Sequence, residues 1–507
     1  MSAFVEALAR VPPLLASHVL LAASALALGI AISLPLAVLS ARNPAVARVA
    51  LGVASLVQTI PSLALLALFY PLLLWVGHGI PALGFLPSLI ALTLYAVLPI
   101  LRNAVAGLRG LDPAVTEAAD AVGMTPAQKL RLVEAPLAAP VVVAGIRTAA
   151  VWTIGAATLS TTVGQPSLGD LIFAGLQTQA WALVLAGCVA AAGLALAADA
   201  LIGAIERGVA TRRRWLSSGA ITLLTVGVIA ATAPLWSRGA APTVVVGAKN
   251  FSEQFILARL IGARLERAGY QVEYRDGLGS AVAFGAVAGG DVDVYVDYAG
   301  TIWNGAMART DVPPRAEMVA GIARWAQATS GVRVLGALGF ENAYAFAMRG
   351  DDARARGLAT LDDLARAAPG LRLGSDLEFL DRAEWRAVRE RYGLRFASAA
   401  RYSPTFMYRA LASGRVDVIS AFSSDGRIAA DGLSVLSDPR RAIPGYDAIL
   451  LLAPDRGRDR RFTAALASLV GRIPVAAMRA ANYQVDRDAD KRTPEDAARW
   501  LARHLRP

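Results

Sequence analysis

Six apolar runs of membrane-spanning length occupy the first half of the chain, at about 15–41, 47–75, 83–108, 141–163, 180–205 and 217–236. Crossing a bilayer takes roughly 20 apolar residues, and lipid offers no hydrogen bonds, so such runs must be helices that satisfy their own backbone. Pro35, Pro61, Pro71 and Pro99 fall inside these runs and predict kinks, with neighbouring helices meeting the freed carbonyls. The first run is too long for the apolar core of a secretory signal, and Glu6 and Arg10 flank it, so it reads as a span. Past residue 240 the character reverses. Residues 1–240 hold 13 Lys/Arg and 8 Asp/Glu, whereas 241–507 hold 37 and 31. The first part is built for lipid and the second for water.

Basic residues resist translocation, which sets the expected orientation. Arg42, Arg48, Arg102, Arg109, Lys129, Arg131, Arg147, Arg207, Arg212, Arg213 and Arg214 all fall on one side of a six-span arrangement, leaving Arg10 and Arg238 on the other. The N-terminus is then outside, the segment 117–140 is cytoplasmic, and the polar half is extracytoplasmic. The net charge of +11 divides into +5 and +6 between the halves, with no basic stripe of the kind that neutralises nucleic-acid phosphates. Cys188 is the sole cysteine, and His18, His78 and His504 are far apart, so neither a disulfide nor a metal site is expected. No catalytic motif stands out, and the chain reads as a non-enzyme without a cofactor.

Between the third and fourth runs lies "EAADAVGMTPAQKLRLVEAPLAAP" (117–140), polar and rich in proline. Asp112-Pro113 predicts the start of a helix, Gly123 its break, and Thr125-Pro126 the cap of a second short helix ending at Pro136. Glu117-Ala118-Ala119 with Gly123, Pro136 and Pro140 resembles the loop by which permeases of ABC importers seat in their ATPase. "QTIPSLALLALF", "LYAVLPILRNAVAGL" and "RTAAVWTIGAATLSTTVG" are similar to the permeases of osmoprotectant and quaternary-amine uptake systems. The resemblance implies a six-helix type I importer permease over 1–240, with its coupling loop at 112–140. "VGQPSLGD" (163–170) departs from the more Gly/Ala-rich turn of that family. The chain has no G-x-x-x-x-G-K-[ST] loop, so a separate cytoplasmic ATPase and a permease homodimer are implied.

After Pro242 the pattern turns to strand and helix. "TVVVGA" (243–248), "SEQFILARLIGARLERAG" (252–269), "QVEYRDG", "SAVAFGAVAGG" (280–290) and "VDVYVDY" (292–298) read as βαβαβ, with Ser252 capping the first helix and Gly269 stopping it. The crossover rule makes the sheet parallel, with ligands beyond its carboxyl edge. The cycle repeats from "LRLGSD" (371–376), and "YRALASGRVDVISAF" (408–422) echoes "FGAVAGGDVDVYVDY" (284–298). Two α/β lobes with a cleft follow, about 243–345 with 448–507, and about 346–447, within a domain spanning 241–507.

"GAKNFSEQFILARL", "GLGS", "DYAGTIW", "ENAYAF", "EFLDR" and "SAFSSDGRI" resemble the substrate-binding proteins of betaine, choline and carnitine importers. Three places depart from that family's pattern: Ala383-Glu384-Trp385 in place of a DG, Ser424 in place of Thr, and "IPGYD" (443–447) in place of a double-proline, double-aromatic form. A quaternary ammonium has no N–H to donate and is best held by ring faces. By motif position the resemblance implies a cage drawn from Phe251, Tyr298, Tyr344, Phe379, Tyr408, Phe422 and Tyr446, with Trp303 a further candidate. Ser280 and Thr301, beside Gly279 and Gly300, sit at expected helix starts suited to a ligand carboxylate. Asn250, Gln254, Asn342 and Ser424 add donors, Asp297 and Asp425 brace loops or meet a cation, and Lys249 and Arg382 serve either a loop ion pair or the ligand. The expected whole is an importer of the bacterial inner membrane for a small zwitterionic or cationic quaternary amine such as glycine betaine, choline or carnitine. Ergothioneine, a trimethylated histidine betaine, is the alternative cargo. A membrane-tethered sensor without transport is the alternative class, and a cell-wall lyase lacks the residues for a catalytic domain.

Overall fold

The computed structural model describes residues 2–76, 82–178, 180–236, 243–402, 404–487 and 489–505. His78 and the expected domain junction at 240/241 lie outside them. The chain forms two compact units, residues 1–176 with 181–240, and residues 177–180 with 241–507.

The first unit is all helix. Val11–Arg42, Phe85–Arg109, Pro126–Val163, Trp181–Ala210 and Arg214–Ala233 are long and apolar enough to cross a membrane. The expected second run is instead broken: Pro44–Thr59 and Ser62–Leu73 meet at 102°, and counting the pair as one span gives six. The break falls at Ile60-Pro61, where a missing N–H and a pre-proline residue forced into extended backbone end the helix. Pro35, Pro71 and Pro99 sit inside continuous helices. The Phe85–Arg109 helix is the most enclosed, and glycine makes that possible. A Cβ on Gly145, in the Ala135–Ala157 helix, would lie 2.7 Å from the Asn103 Cβ and 2.9 Å from the Pro99 oxygen.

The polar loop folds largely as its residues dictate. The Asp112 side chain accepts from the Ala114 N–H at 2.9 Å and opens the Pro113–Ala121 helix. Gly123 turns with φ +78°, a backbone that other residues adopt only at a cost. Thr125 and Gln128 then form a reciprocal capping box. The second helix does not stop at Pro136. Pro126–Lys129 passes through a π turn, Leu130–Glu134, straight into Ala135–Ala157. The wider turn accommodates the proline that would otherwise crowd the preceding carbonyls.

The second unit holds two five-stranded sheets. Strands β1 (Thr243–Lys249), β2 (Gln271–Leu278), β3 (Val294–Tyr298) and β4 (Arg333–Glu341) belong to the first, and β5 (Tyr344–Arg349), β6 (Arg372–Ser375), β7 (Ser398–Arg401), β8 (Val418–Phe422) and β9 (Leu433–Leu436) to the second. The last strand, β10 (Asp447–Leu452), returns to the first. The orders are β2-β1-β3-β10-β4 and β7-β6-β8-β5-β9. The expected parallel pairing holds for β2-β1-β3 and β7-β6-β8, but β10 and β5 run antiparallel to their neighbours. The crossover rule governs strand–helix–strand units, and β5 and β10 enter directly from the other sheet. The repeated Val-Asp-Val has a structural reason. Asp293 accepts from the Val245 N–H at 2.6 Å and Asp417 from the Arg372 N–H at 2.9 Å, so in each sheet the aspartate satisfies a donor near the start of a neighbouring strand. Ser252 does not cap its helix; Phe251 occupies the cap position and the Ser252 hydroxyl donates to Asp486.

Replacing Gly145 by Ala should overpack the helix crossing at a cost of about 1–3 kcal/mol. Thermal unfolding in detergent should shift down by several degrees for this variant. It should not shift for Gly155→Ala, whose surroundings leave open space.

Candidate binding site

A cavity of about 390 Å³ opens between the two sheets of the second unit. Its wall is assembled from strand ends and the segments that follow them: Asn250 and Phe251 after β1, Tyr298 at the end of β3, Asn342 and Tyr344 where the chain crosses between sheets, Phe422 at the end of β8, and Tyr446 before β10. The sequence places these residues far apart, and the two sheets bring their carboxyl-end loops together. Thr301, Arg382, Ser424 and Asp425 are further expected residues that line it.

Five rings share the cavity: Phe251, Tyr298, Tyr344, Phe422 and Tyr446. Phe251 and Tyr298 stack at 6.1 Å on one side; Tyr344 lies 5.0 Å from Phe422 and edge-on to Tyr446 at 6.1 Å on the other. Two further expected rings sit behind the wall. Phe379 is fully buried and supports Tyr344 at 4.7 Å, and Tyr408 is buried beneath the Arg427 guanidinium at 5.3 Å. Trp303 also lies outside the wall, its indole N–H donating to the Asp311 carbonyl.

Gln254 and Asp297 are likewise supports. Gln254 donates to the Val296 carbonyl and the Tyr298 hydroxyl, both at 3.0 Å. Asp297 takes the Lys249 ammonium, the Tyr295 hydroxyl and the Tyr298 N–H. Lys249 lines the cavity with its charge already met by that carboxylate. The side chain of Ser280 lies outside the described residues.

Sequence reasoning passed over the carboxylates. Glu253, Asp376, Glu378 and Asp486 join Asp425 in the wall, against Lys249, Arg382 and Arg427. Glu253 accepts from the Tyr298 hydroxyl at 2.6 Å, from Asn342 at 3.1 Å and from Asn482 at 2.8 Å. Burial pushes its carboxyl up, against the pull of those donors. Asp376 is also pushed up by burial, while the Glu378 and Phe379 N–H groups oppose the shift. Asp486 is pushed up to about 6 by burial and by the charge of Asp425, with Arg427 and Lys491 opposing. Burial raises the hydroxyls of Tyr298, Tyr344 and Tyr446, so all three stay protonated donors. Behind Arg382 and Tyr446 lies Glu384, 2% exposed. Glu253 reads in sequence as an ordinary first-turn acid, and Glu384 as a helix-surface residue; only the tertiary fold buries them.

On the first unit, Glu117, Ala118, Gly123 and Pro136 are exposed, Pro140 is half-buried and Ala119 is buried. Val122 and Leu132 expose 72% and 63% of their surface there, leaving apolar area without a partner beside the turn. Lys129 closes the elbow on Asp120 at 2.7 Å.

Comparison with known proteins assigns both units. Residues 242–503 match the substrate binding domain of ABC-type glycine betaine transport systems, and residues 29–211 match the inner membrane component of binding-protein-dependent transport systems. The choline transport system permease protein of Bacillus subtilis is 41% identical over 190 residues, 38% of this chain and 84% of that one. The carnitine transport permease protein of Listeria monocytogenes is 42% identical over 189 residues, 37% of this chain and 83% of its own. The ergothioneine transport permease/ergothioneine binding protein of Helicobacter pylori aligns across 473 residues at 26% identity, 90% of this chain and 83% of that one. Permease and binder share one polypeptide, and the chain belongs to the ABC importers of the glycine betaine transport type as a fused permease and substrate-binding subunit.

Proposed function

We propose that this subunit captures a quaternary ammonium compound outside the inner membrane and passes it through its own permease, driven by a separate cytoplasmic ATPase. The observation that carries the reading is the ring-lined cavity whose wall holds more carboxylates than cations. A trimethylammonium group offers no hydrogen bond, and ring faces with fixed negative charge nearby replace the water it loses. Glycine betaine, choline and carnitine are the leading cargoes. Ergothioneine is the second reading, favoured by the Helicobacter pylori relative, which aligns across both units. On either reading residues 1–240 form the permease and 241–507 the binder. The binder's lobes, about 243–345 with 448–507 and about 346–447, close over the ligand.

Charge supports the orientation. With the bent pair taken as one span, the basic residues gather at the first, third and fifth junctions, all on one side, and the binder follows the sixth span. The loop at 112–140 then faces the cytoplasm, where Glu117, Gly123 and the exposed Val122 and Leu132 offer a knob for the ATPase. Two copies of the permease around one path form the pore. Closure of the ATPases on ATP pulls the loops and opens the path inward.

Each ring should contribute about 0.5–2 kcal/mol to holding the cation. Tyr298→Ala and Tyr446→Ala should therefore each weaken choline binding roughly two- to thirtyfold by calorimetry of the full-length protein, and normal binding by both would remove the cage. Choline has no titratable group in the neutral range, so any pH dependence of its binding belongs to the protein. A bound cation favours ionised Asp486, so binding expels its proton. Affinity should fall as the pH drops through about 6 and Asp486 protonates, by at most about tenfold per pH unit; a flat or rising profile contradicts the assignment. Gly123→Val strains the φ +78° turn without filling any void. It should abolish uptake in reconstituted vesicles while leaving choline affinity unchanged, an outcome a mere sensor would not give.

A further inference from the structure

Two of the cavity's tyrosines donate their hydroxyls to buried carboxylates. Tyr298 donates to Glu253 at 2.6 Å, and Tyr446 donates to Glu384. The two pairs come from different parts of the fold and share no residue. Glu384 opens the Ala383–Tyr392 helix and does not itself line the cavity. Its carboxylate also takes Arg382, at 3.0 and 3.3 Å, and the Asn304 amide at 3.3 Å. Burial pushes Glu384 up, but the hydrogen bonds and charge of Arg382 outweigh it and hold the carboxyl below its ordinary range. The group is an anion that accepts from Tyr446, Arg382 and Asn304, while Arg382 also reaches Glu378 and the Tyr446 hydroxyl at 3.5 Å.

A phenol that donates to a carboxylate gains electron density on its ring, because the O–H bond is polarised toward the oxygen. The negative face that attracts a cation is strengthened accordingly, and a low-dielectric setting magnifies the effect. The ring is also fixed in place. Tyr446 lies against Gly300 so closely that a Cβ there would come within 2.6 Å of the ring. Arg382, which reaches the Tyr344 ring at 5.5 Å, would by itself repel a ligand cation, and Glu384 offsets that charge.

Building on the quaternary-ammonium reading, we infer that Glu384 and Glu253 are positioning residues that set the site's preference for a methylated cation over a neutral group of the same shape. They act through Tyr446 and Tyr298, by enriching those rings and holding them at the cavity wall. The sequence departure at Ala383-Glu384-Trp385 thereby acquires a role. A carboxylate placed behind the cage, rather than in it, tunes selectivity without a contact to the ligand.

The test pairs each cation with its carbon isostere: choline with 3,3-dimethylbutan-1-ol, and glycine betaine with 3,3-dimethylbutanoate. Binding is measured by calorimetry on the full-length protein in detergent, for the native chain, Glu384→Gln and Tyr446→Phe. The native protein should prefer a cation over its isostere by more than about tenfold. Both variants should lower that preference by about three- to tenfold while changing isostere affinity by less than about twofold. Adding Tyr446→Phe to Glu384→Gln should lower it no further, because the phenol has lost its carboxylate partner in either case, while Glu384→Gln alone should lower it at least as far as Tyr446→Phe, since it also leaves the Arg382 charge without its offset. Equal weakening of cation and isostere would reduce Glu384 to a structural residue and overturn the inference, as would an unchanged preference in Tyr446→Phe, which keeps the Glu384–Arg382 pair. A native protein that binds none of the four compounds, nor carnitine, nor ergothioneine would overturn the parent reading, and a native protein that binds cation and isostere equally would overturn the inference alone.

Discussion

The second unit is organised around an acid that has left water. Glu253 is almost wholly buried, and an unpaired carboxylate in such a place would cost several kcal/mol. The fold meets that cost with donors drawn from three separate elements: Tyr298 at the end of β3, Asn342 at the crossing between sheets, and Asn482 in the Val475–Asp486 helix. Asn482 extends the link to the Ser424 carbonyl after β8. One side chain thereby fastens the first helix, a cage ring, the crossing and the loop of the second sheet. The node ties residues of both sheets together.

The crossing itself is spare. Between Glu341, the last residue of β4, and Tyr344, the first of β5, only Asn342 and Ala343 intervene. Both backbone groups of Ala343 are tied to Ser423, whose hydroxyl accepts its N–H and whose N–H donates to its carbonyl. The second crossing, from β9 to β10, carries Tyr446, and the Asn342 N–H donates to the Tyr446 carbonyl. Cavity-lining residues thus sit on the two connections between the sheets. On the proposed reading, ligand contact at Tyr344, Asn342 or Tyr446 bears directly on these connections, and binding energy and closure are drawn from the same residues.

Much of this was legible in sequence because local rules agree with the global fold. Gly123 and the Thr125 cap are set by neighbours within a few residues, and the βαβ rhythm and the repeated Val-Asp-Val show as local patterns even though Asp293 and Asp417 meet donors on neighbouring strands. The aromatic positions came from motif resemblance, and the cavity gathers most of them; Phe379 and Tyr408 instead pack behind it, since periodicity does not say which side of a wall a ring faces. What stayed hidden depends on distant partners. Glu253 and Asp486 are separated by 233 positions yet share one cavity. Glu384 is legible only once Tyr446 and Arg382 are seen to converge on it. The antiparallel β5 and β10 escaped for the same reason, since no local pattern records that a strand has changed sheets. In the first unit the break at Pro61 and the continuation past Pro136 show that proline ends a helix only where neighbouring turns cannot absorb its missing donor.

Fusing binder to permease changes the physics of docking more than that of binding. A free binding protein has to find its permease by diffusion, and its occupancy there rises with concentration. A tether makes the encounter intramolecular, with effective concentrations near the millimolar range for a short linker. Even weak docking is then nearly saturated, with or without ligand. Discrimination between loaded and empty binder cannot come from recruitment and must come from the shape the binder presents when closed. On the proposed reading that places a premium on a sharp coupling between ligand contact and lobe movement, and a cavity built on the two crossings, with Glu253 joining both sheets, suits that demand.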